Sequence, residues 1–256
     1  VRTLDFSDDP ELCREIINVW VMEQTEGRIE DLIPQNLLTS VTKLVLTNAI
    51  YFKAQWLFQF DEMGTHDQDF TLIDGERITV PMMNQSEHFP MVRGDNYMAV
   101  ELPYSNRRTS MLVIVPDDGC FFELEDRLEN DFIADITRSL MDTNLRLSMP
   151  KFETVSTFRL EDILSDMGMV SAFGMSADFS GMDGTLSLYI ANVVHKAFVS
   201  VDETGTEAAA ATAVGMQKLN GEPSIEFNIN RPFIYLIRDR DTGTTLFIGR
   251  VLNPLE

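Results

Sequence analysis

At 256 residues, 44% of them hydrophobic, the chain is long enough for one substantial core or two small ones. No Pro/Gly/Ser linker, low-complexity tract or internal repeat divides it, so a single domain over residues 1–256 is expected. Its 41 acidic residues against 20 scattered basic ones give a formal charge of −21, a field that repels a phosphate backbone and argues against nucleic acid as a partner; no apolar run approaches the ~20 residues of a membrane span.

Ser7, Asp8, Asp9 and Pro10 form a helix start, with acidic side chains at the positive end of the dipole and proline in the first turn. Leu12, Ile16, Val19 and Trp20 follow at helical spacing as the predicted buried stripe, and Gly27 supplies the stop. Val41 to Phe52 reads as a long apolar strand buried on both faces. Further strands are predicted around Phe70–Leu72, Ile78–Met82, Tyr97–Leu102 and Ser110–Val115, with Asp74-Gly75 and Asp117-Asp118-Gly119 as turns. Phe122 to Leu140 has the three-and-four spacing of surface helices, Leu145 to Phe152 reads as strand, and Thr157 to Met167 as a helix closed by Gly168. Leu188 to Val201 is a long predicted strand, followed by an exposed loop and three final strands. The class is α+β, dominated by sheet.

Catalytic tools are missing from this order. Gly174-Met175-Ser176-Ala177-Asp178 lacks the last glycine and the preceding buried strand of a nucleophile elbow, so a loop is the simpler reading. His66, His88 and His195 share no metal-ligand spacing, and there is neither a phosphate loop nor a dinucleotide fingerprint, so no cofactor or metal is expected. Arg93-Gly94-Asp95 reads as a charged turn before a strand. Cys13 and Cys120 read as two free or buried thiols, and Asn84-Gln85-Ser86 is a glycosylation sequon. His195, alone in an apolar strand, has the pattern of a satisfied core histidine.

The run from Asp202 to Ala213, DETGTEAAAATA, calls for its own explanation. Four consecutive alanines favour helix, yet Gly205, Thr204, Thr206, Val214 and Gly215 surround them and no apolar stripe anchors a helix to a core. A segment that must enter a slot between two strands needs small, uncharged side chains on the face that becomes buried. In strand periodicity Thr206, Ala208, Ala210, Thr212 and Val214 share such a face, and Glu207 falls on the other.

These residues resemble the hinge of a serpin, a serine protease inhibitor. Thr47-Asn48-Ala49-Ile50-Tyr51-Phe52-Lys53 with Trp56, His195-Lys196-Ala197, Arg231-Pro232-Phe233 and Leu246-Phe247-Ile248-Gly249-Arg250-Val251 before Asn253-Pro254 resemble further blocks of the family, in family order. The resemblance covers nearly the whole chain, which starts near the helix that crosses the family's main sheet; the opening helices and first strands, or a chain supplying them, would lie outside it.

The resemblance implies a mixed-sheet fold with a reactive-centre loop and irreversible inhibition of a serine protease; an extracellular setting is expected, with a cytoplasmic one as the alternative. The hinge would comprise Glu203, Gly205, Thr206, Glu207, Ala208, Ala209, Ala210, Ala211 and Thr212. Asn48 and His195 match a polar pair that hydrogen-bonds across the gap where the loop inserts, and Trp56, Lys151 and Glu203 match residues at the mouth of that gap. Counting from Glu203 by family spacing places the scissile bond between Leu219 and Asn220, which favours a chymotrypsin-like protease; a shift of one residue gives Lys218 to Leu219 and a trypsin-like one. A non-inhibitory carrier or chaperone and a non-functional fragment are the competing expectations.

Overall fold

The computed structural model describes residues 2–206 and 224–256, and the chain gathers into two compact units, Val1–Phe52 with Thr154–Val199 and Lys53–Glu153 with Ser200–Glu256.

In the first unit, helix α1 (Pro10–Gln24) begins where the Asp9 carboxylate accepts the Leu12 amide at 2.9 Å. It ends just before Gly27, whose φ of 79° suits glycine. The buried face is not the predicted one: Leu12, Ile16 and Val19 are exposed, whereas Cys13 and Val21 join Ile29, Leu32, Ile33 and Leu38 in the core. Two buried polar side chains set this rotation. Asn18 accepts the Ile33 amide at 2.8 Å and donates to the Ile33 carbonyl at 2.9 Å, and Arg14 donates to the same carbonyl at 3.2 Å. Hydrogen bonds to the following loop thus outweigh the apolar pattern, because leaving those backbone groups buried and unpaired costs about 1–3 kcal/mol each.

Strand β1 (Leu44–Tyr51) is shorter than predicted and not buried on both faces. It runs parallel to β9 (Ile190–Val201), with Asn48 opposite His195 and Tyr51 opposite Phe198. Val45, Ala49 and Tyr51 pack on the α1 core, while Leu46 and Asn48, on the opposite face, are exposed. Strand β8 (Phe152–Arg159) also pairs with β9. The helix predicted over Thr157 to Met167 shrinks to α4 (Glu161–Asp166), because β-branched Thr154, Val155 and Thr157 favour extension and the Leu160 amide is engaged by the Val193 carbonyl at 3.0 Å. Gly168, with φ 104°, follows α4, and a single-turn helix α5 (Ser180–Asp183) precedes β9.

In the second unit, β2 (Ala54–Gln55) precedes a sheet built from β3 (His66–Thr71), β4 (Arg77–Gly94), β5 (Tyr97–Pro103), β6 (Thr109–Pro116), β7 (Met141–Pro150), β11 (Ile225–Asn228), β12 (Phe233–Asp239) and β13 (Thr245–Val251). Its order is β11-β7-β4-β5-β6-β12-β13, with β3 on β4. The predicted five-residue strand at Ile78–Met82 is the start of the 18-residue β4, which pairs in turn with β3, β7 and β5. Helices α2 (Phe121–Glu125) and α3 (Asn130–Ser139) bury Phe121, Leu124 and Ile136 against Tyr97, Ala99, Leu112, Ile114, Ile234 and Leu236.

Asn84 lies inside β4, its amide donating to the Met82 and Gly64 carbonyls at 2.9 and 3.1 Å and accepting Ser148 at 2.6 Å, so the sequon nitrogen is committed to the fold. Cys13 and Cys120 are free. Gly174-Met175-Ser176-Ala177-Asp178 forms a surface turn closed by the Ala177 amide on the Gly174 carbonyl.

Candidate functional site

The site begins at the end of β9. Asp202 folds the chain back: its carboxylate accepts the Thr204 amide and hydroxyl at 2.8 and 2.6 Å and the Gly205 amide at 3.1 Å. Residues Gly205–Thr206 then form a short strand, β10, antiparallel to β2 on one side and to Val201 of β9 on the other. Only glycine fits at 205, since a Cβ would run into the Ala54 carbonyl oxygen and lie 2.7 Å from Gln55 Cα.

Thr206 is fully buried, and its hydroxyl shares a 2.7 Å hydrogen bond with the Tyr104 hydroxyl. Burial pushes the Tyr104 phenol up, so that bond is between neutral groups. Tyr104 stacks on Trp56 with centroids 4.6 Å apart. Trp56 also holds the turn directly, its backbone amide donating to the Thr204 carbonyl and its indole nitrogen to the Asp202 carbonyl, both at 3.0 Å.

Glu203 projects from the turn and is clamped on both oxygens, by the Lys151 ammonium at 2.8 Å and the Thr65 hydroxyl at 2.7 Å. Its backbone carbonyl accepts the Phe60 amide at 2.9 Å. Burial alone would raise the Glu203 carboxyl, but Lys151 and Thr65 outweigh it and hold it below the usual carboxylate range. The Glu203 side chain is 8% exposed and that of Lys151 39%, so the pair is partly screened. Trp56, Lys151 and Glu203 therefore meet around one turn, together with Gly205 and Thr206. Thr65 and Tyr104 belong to the same cluster, and no motif in the sequence marks either.

Asn48 and His195 share a register position on the paired strands β1 and β9. Their side chains do not hydrogen-bond to each other among the described residues: Asn48 is exposed, and the His195 ring stacks on Phe158 at 6.2 Å. The expected cross-strand bond is thus not formed here, and the pair shares only its register position. The remaining hinge residues, Glu207, Ala208, Ala209, Ala210, Ala211 and Thr212, and the candidate scissile positions Lys218, Leu219 and Asn220 lie outside the described residues.

The family model described as "Serpin (serine protease inhibitor)" matches residues 1–254. An uncharacterized serpin-like protein of Thermococcus kodakarensis is 43% identical over 100% of this chain and 60% of its own length. A leukocyte elastase inhibitor of Xenopus laevis is 40% identical, covering 98% of this chain and 69% of its own. The crystal structure of uncleaved ovalbumin superposes with a TM-score of 0.92 at 28% identity, over 99% of this chain and 69% of that one. The chain thus spans between three fifths and seven tenths of the length of these relatives. With hinge-like residues folded into a short strand, two mixed sheets and a family match along nearly its full length, the chain belongs to the serpin family.

Proposed function

We propose that this chain is a suicide-substrate inhibitor of serine proteases rather than an enzyme. The observation that carries this reading is β10: Gly205 and Thr206 already lie as a strand between β2 and the end of β9, and the small, uncharged residues Ala208, Ala210 and Thr212, on the strand face opposite to Glu207, have the composition to continue it. The protease serine would attack the Leu219 carbonyl, break the Leu219–Asn220 bond, form an ester to Leu219 and release the new amino terminus at Asn220. The freed hinge would then extend between β1 and β9, whose parallel ladder must part.

A strand of about ten residues gaining roughly 1 kcal/mol net per ladder bond releases on the order of 10 kcal/mol. That equals the whole stability of many domains, so the uncut chain is held kinetically. In this reading the Lys151–Glu203–Thr65 clamp and the Trp56–Tyr104 stack govern the rate at which the slot opens. Leu219 favours a chymotrypsin-like target, and the elastase inhibitor among the relatives supports a protease that reads an apolar residue; the one-residue shift to Lys218 makes trypsin-like enzymes the second class.

Incubation with chymotrypsin-like, elastase-like and trypsin-like proteases should give an adduct that survives boiling in detergent. Reversible binding alone, or simple digestion of the loop, would reject inhibition in favour of a carrier, a chaperone or an inactive fragment.

A further inference from the structure

The apolar stripe that the sequence marks on α1 faces outward in the first unit. Leu12, Ile16 and Val19, spaced four and three residues apart, share one side of the helix and are 51%, 40% and 50% exposed. The core is filled from the other side by Cys13 and Val21, with Ile17 and Trp20 packed against it, and none of the three stripe residues joins it. Ile and Val are also poorer helix formers than the Lys, Glu or Gln that a solvent-facing position favours. Neither the core nor helix propensity therefore accounts for three contiguous apolar residues on this face.

The border of the stripe is acidic. Glu11 and Glu15 flank it on one side, Glu23 lies in line with it one turn on, and Asp8 and Asp9 precede it; all are exposed. Arg14, the single basic residue of α1, is turned away from this face: its side chain is 10% exposed, held by Glu11 at 2.7 Å and by the Ile33 carbonyl at 3.2 Å. On the other flank half-buried Trp20 widens the apolar surface, with the Arg2 guanidinium 5.0 Å from its ring. From Leu12 to Val19 the seam is about 10 Å long, two helical turns.

We infer that this face docks a basic amphipathic helix of a partner protein, with apolar side chains at helical spacing against Leu12, Ile16 and Val19 and lysine or arginine along the edge that meets Glu11, Glu15 and Glu23. Two helices pack by interleaving such ridges, and opposite charges beside the seam fix the partner and its direction. A second copy of this chain would bring the same carboxylates together, and an anionic lipid surface would meet them too, so charge selects against both.

The probe is a leucine–lysine peptide of about 18 residues with leucines at helical spacing, titrated into the full chain by calorimetry at about 0.15 M salt, where diffuse attraction to a net charge of −21 is screened. It should bind at one site with a dissociation constant below about 100 µM, and a peptide of the same composition in scrambled order at least about tenfold more weakly. Leu12→Gln/Ile16→Gln alters only exposed side chains and should leave urea unfolding unchanged while weakening binding at least about tenfold. Ile73→Gln, the same change at a 45% exposed residue between β3 and β4, should leave binding as it was. Equal binding of the scrambled peptide, or full binding by the double variant, overturns the inference. So does a dimer of the chain in sedimentation equilibrium that the double variant dissociates, which would assign the face to a second copy.

Discussion

An arginine at position 206 sets two costs against each other. Keeping β10 in place would bury a guanidinium at a fully buried position whose hydrogen-bond partner is the neutral Tyr104 hydroxyl, which costs several kcal/mol, with overpacking adding about 1–3 kcal/mol more. Expelling β10 instead gives up the pairings of Gly205 with Gln55 and of Thr206 with Ala54 and Val201, plus the Tyr104 hydrogen bond, each worth about 1 kcal/mol net. Expulsion is the smaller loss, so Thr206→Arg should cost about 4 kcal/mol in urea unfolding and release the hinge from its slot. Later insertion must then drive the guanidinium inward. An added barrier of about 3 kcal/mol slows that step more than a hundredfold, which lets the acyl-enzyme hydrolyse first. Titration of the target protease should show the stoichiometry of inhibition rising several-fold, with cleaved chain accumulating. Thr206→Val keeps the volume but removes the 2.7 Å hydrogen bond to the Tyr104 hydroxyl; it should cost about 1 kcal/mol and remain inhibitory. An unchanged stoichiometry in a folded Thr206→Arg protein would refute the hinge register.

Glu203→Gln should cost about 1–2 kcal/mol in urea unfolding at pH 7, since the charge pairing with Lys151 is lost while a partner for Thr65 remains. Because Glu203 titrates lower in the folded chain than in the unfolded one, its contribution is complete above about pH 4.3 and disappears as pH falls through the folded-state value; the variant should flatten that acid limb. Gly205→Val cannot keep β10, because its Cβ meets backbone atoms of Ala54 and Gln55, and should raise Trp56 exposure to fluorescence quenchers; unchanged quenching would contradict the packing. Leu219→Arg should shift the target from chymotrypsin-like to trypsin-like proteases, an unpaired cation being penalised in an apolar primary pocket. A C-terminal peptide beginning at Asn220 supports the loop count, and one beginning at Leu219 or Gln217 rejects it.

The ends of α1 were legible because Asp9, Pro10 and Gly27 act through local hydrogen bonding and φ alone. Its buried face was not, because Arg14 and Asn18 bond to a loop fifteen or more residues away. β4 was underestimated for a similar reason: its 18 residues are held by three successive partners, and no local alternation marks that change. At the site, small residues and a glycine marked the hinge, since steric limits on an inserting strand leave a compositional trace. Thr65 and Tyr104 left none, being ordinary residues that matter only through contacts with Glu203 and Thr206, more than a hundred positions distant.

The central claim is that a cut hinge adds to the sheet and stabilises it. Cleaving the loop once with a protease that forms no adduct, then comparing thermal unfolding of intact and cut chains, tests this most directly. Insertion worth on the order of 10 kcal/mol should raise the Tm by about 20–40 °C, at roughly 2–4 °C per kcal/mol for a chain of this size. A cut chain that unfolds at the same temperature as the intact one, or below it, would contradict insertion between β1 and β9.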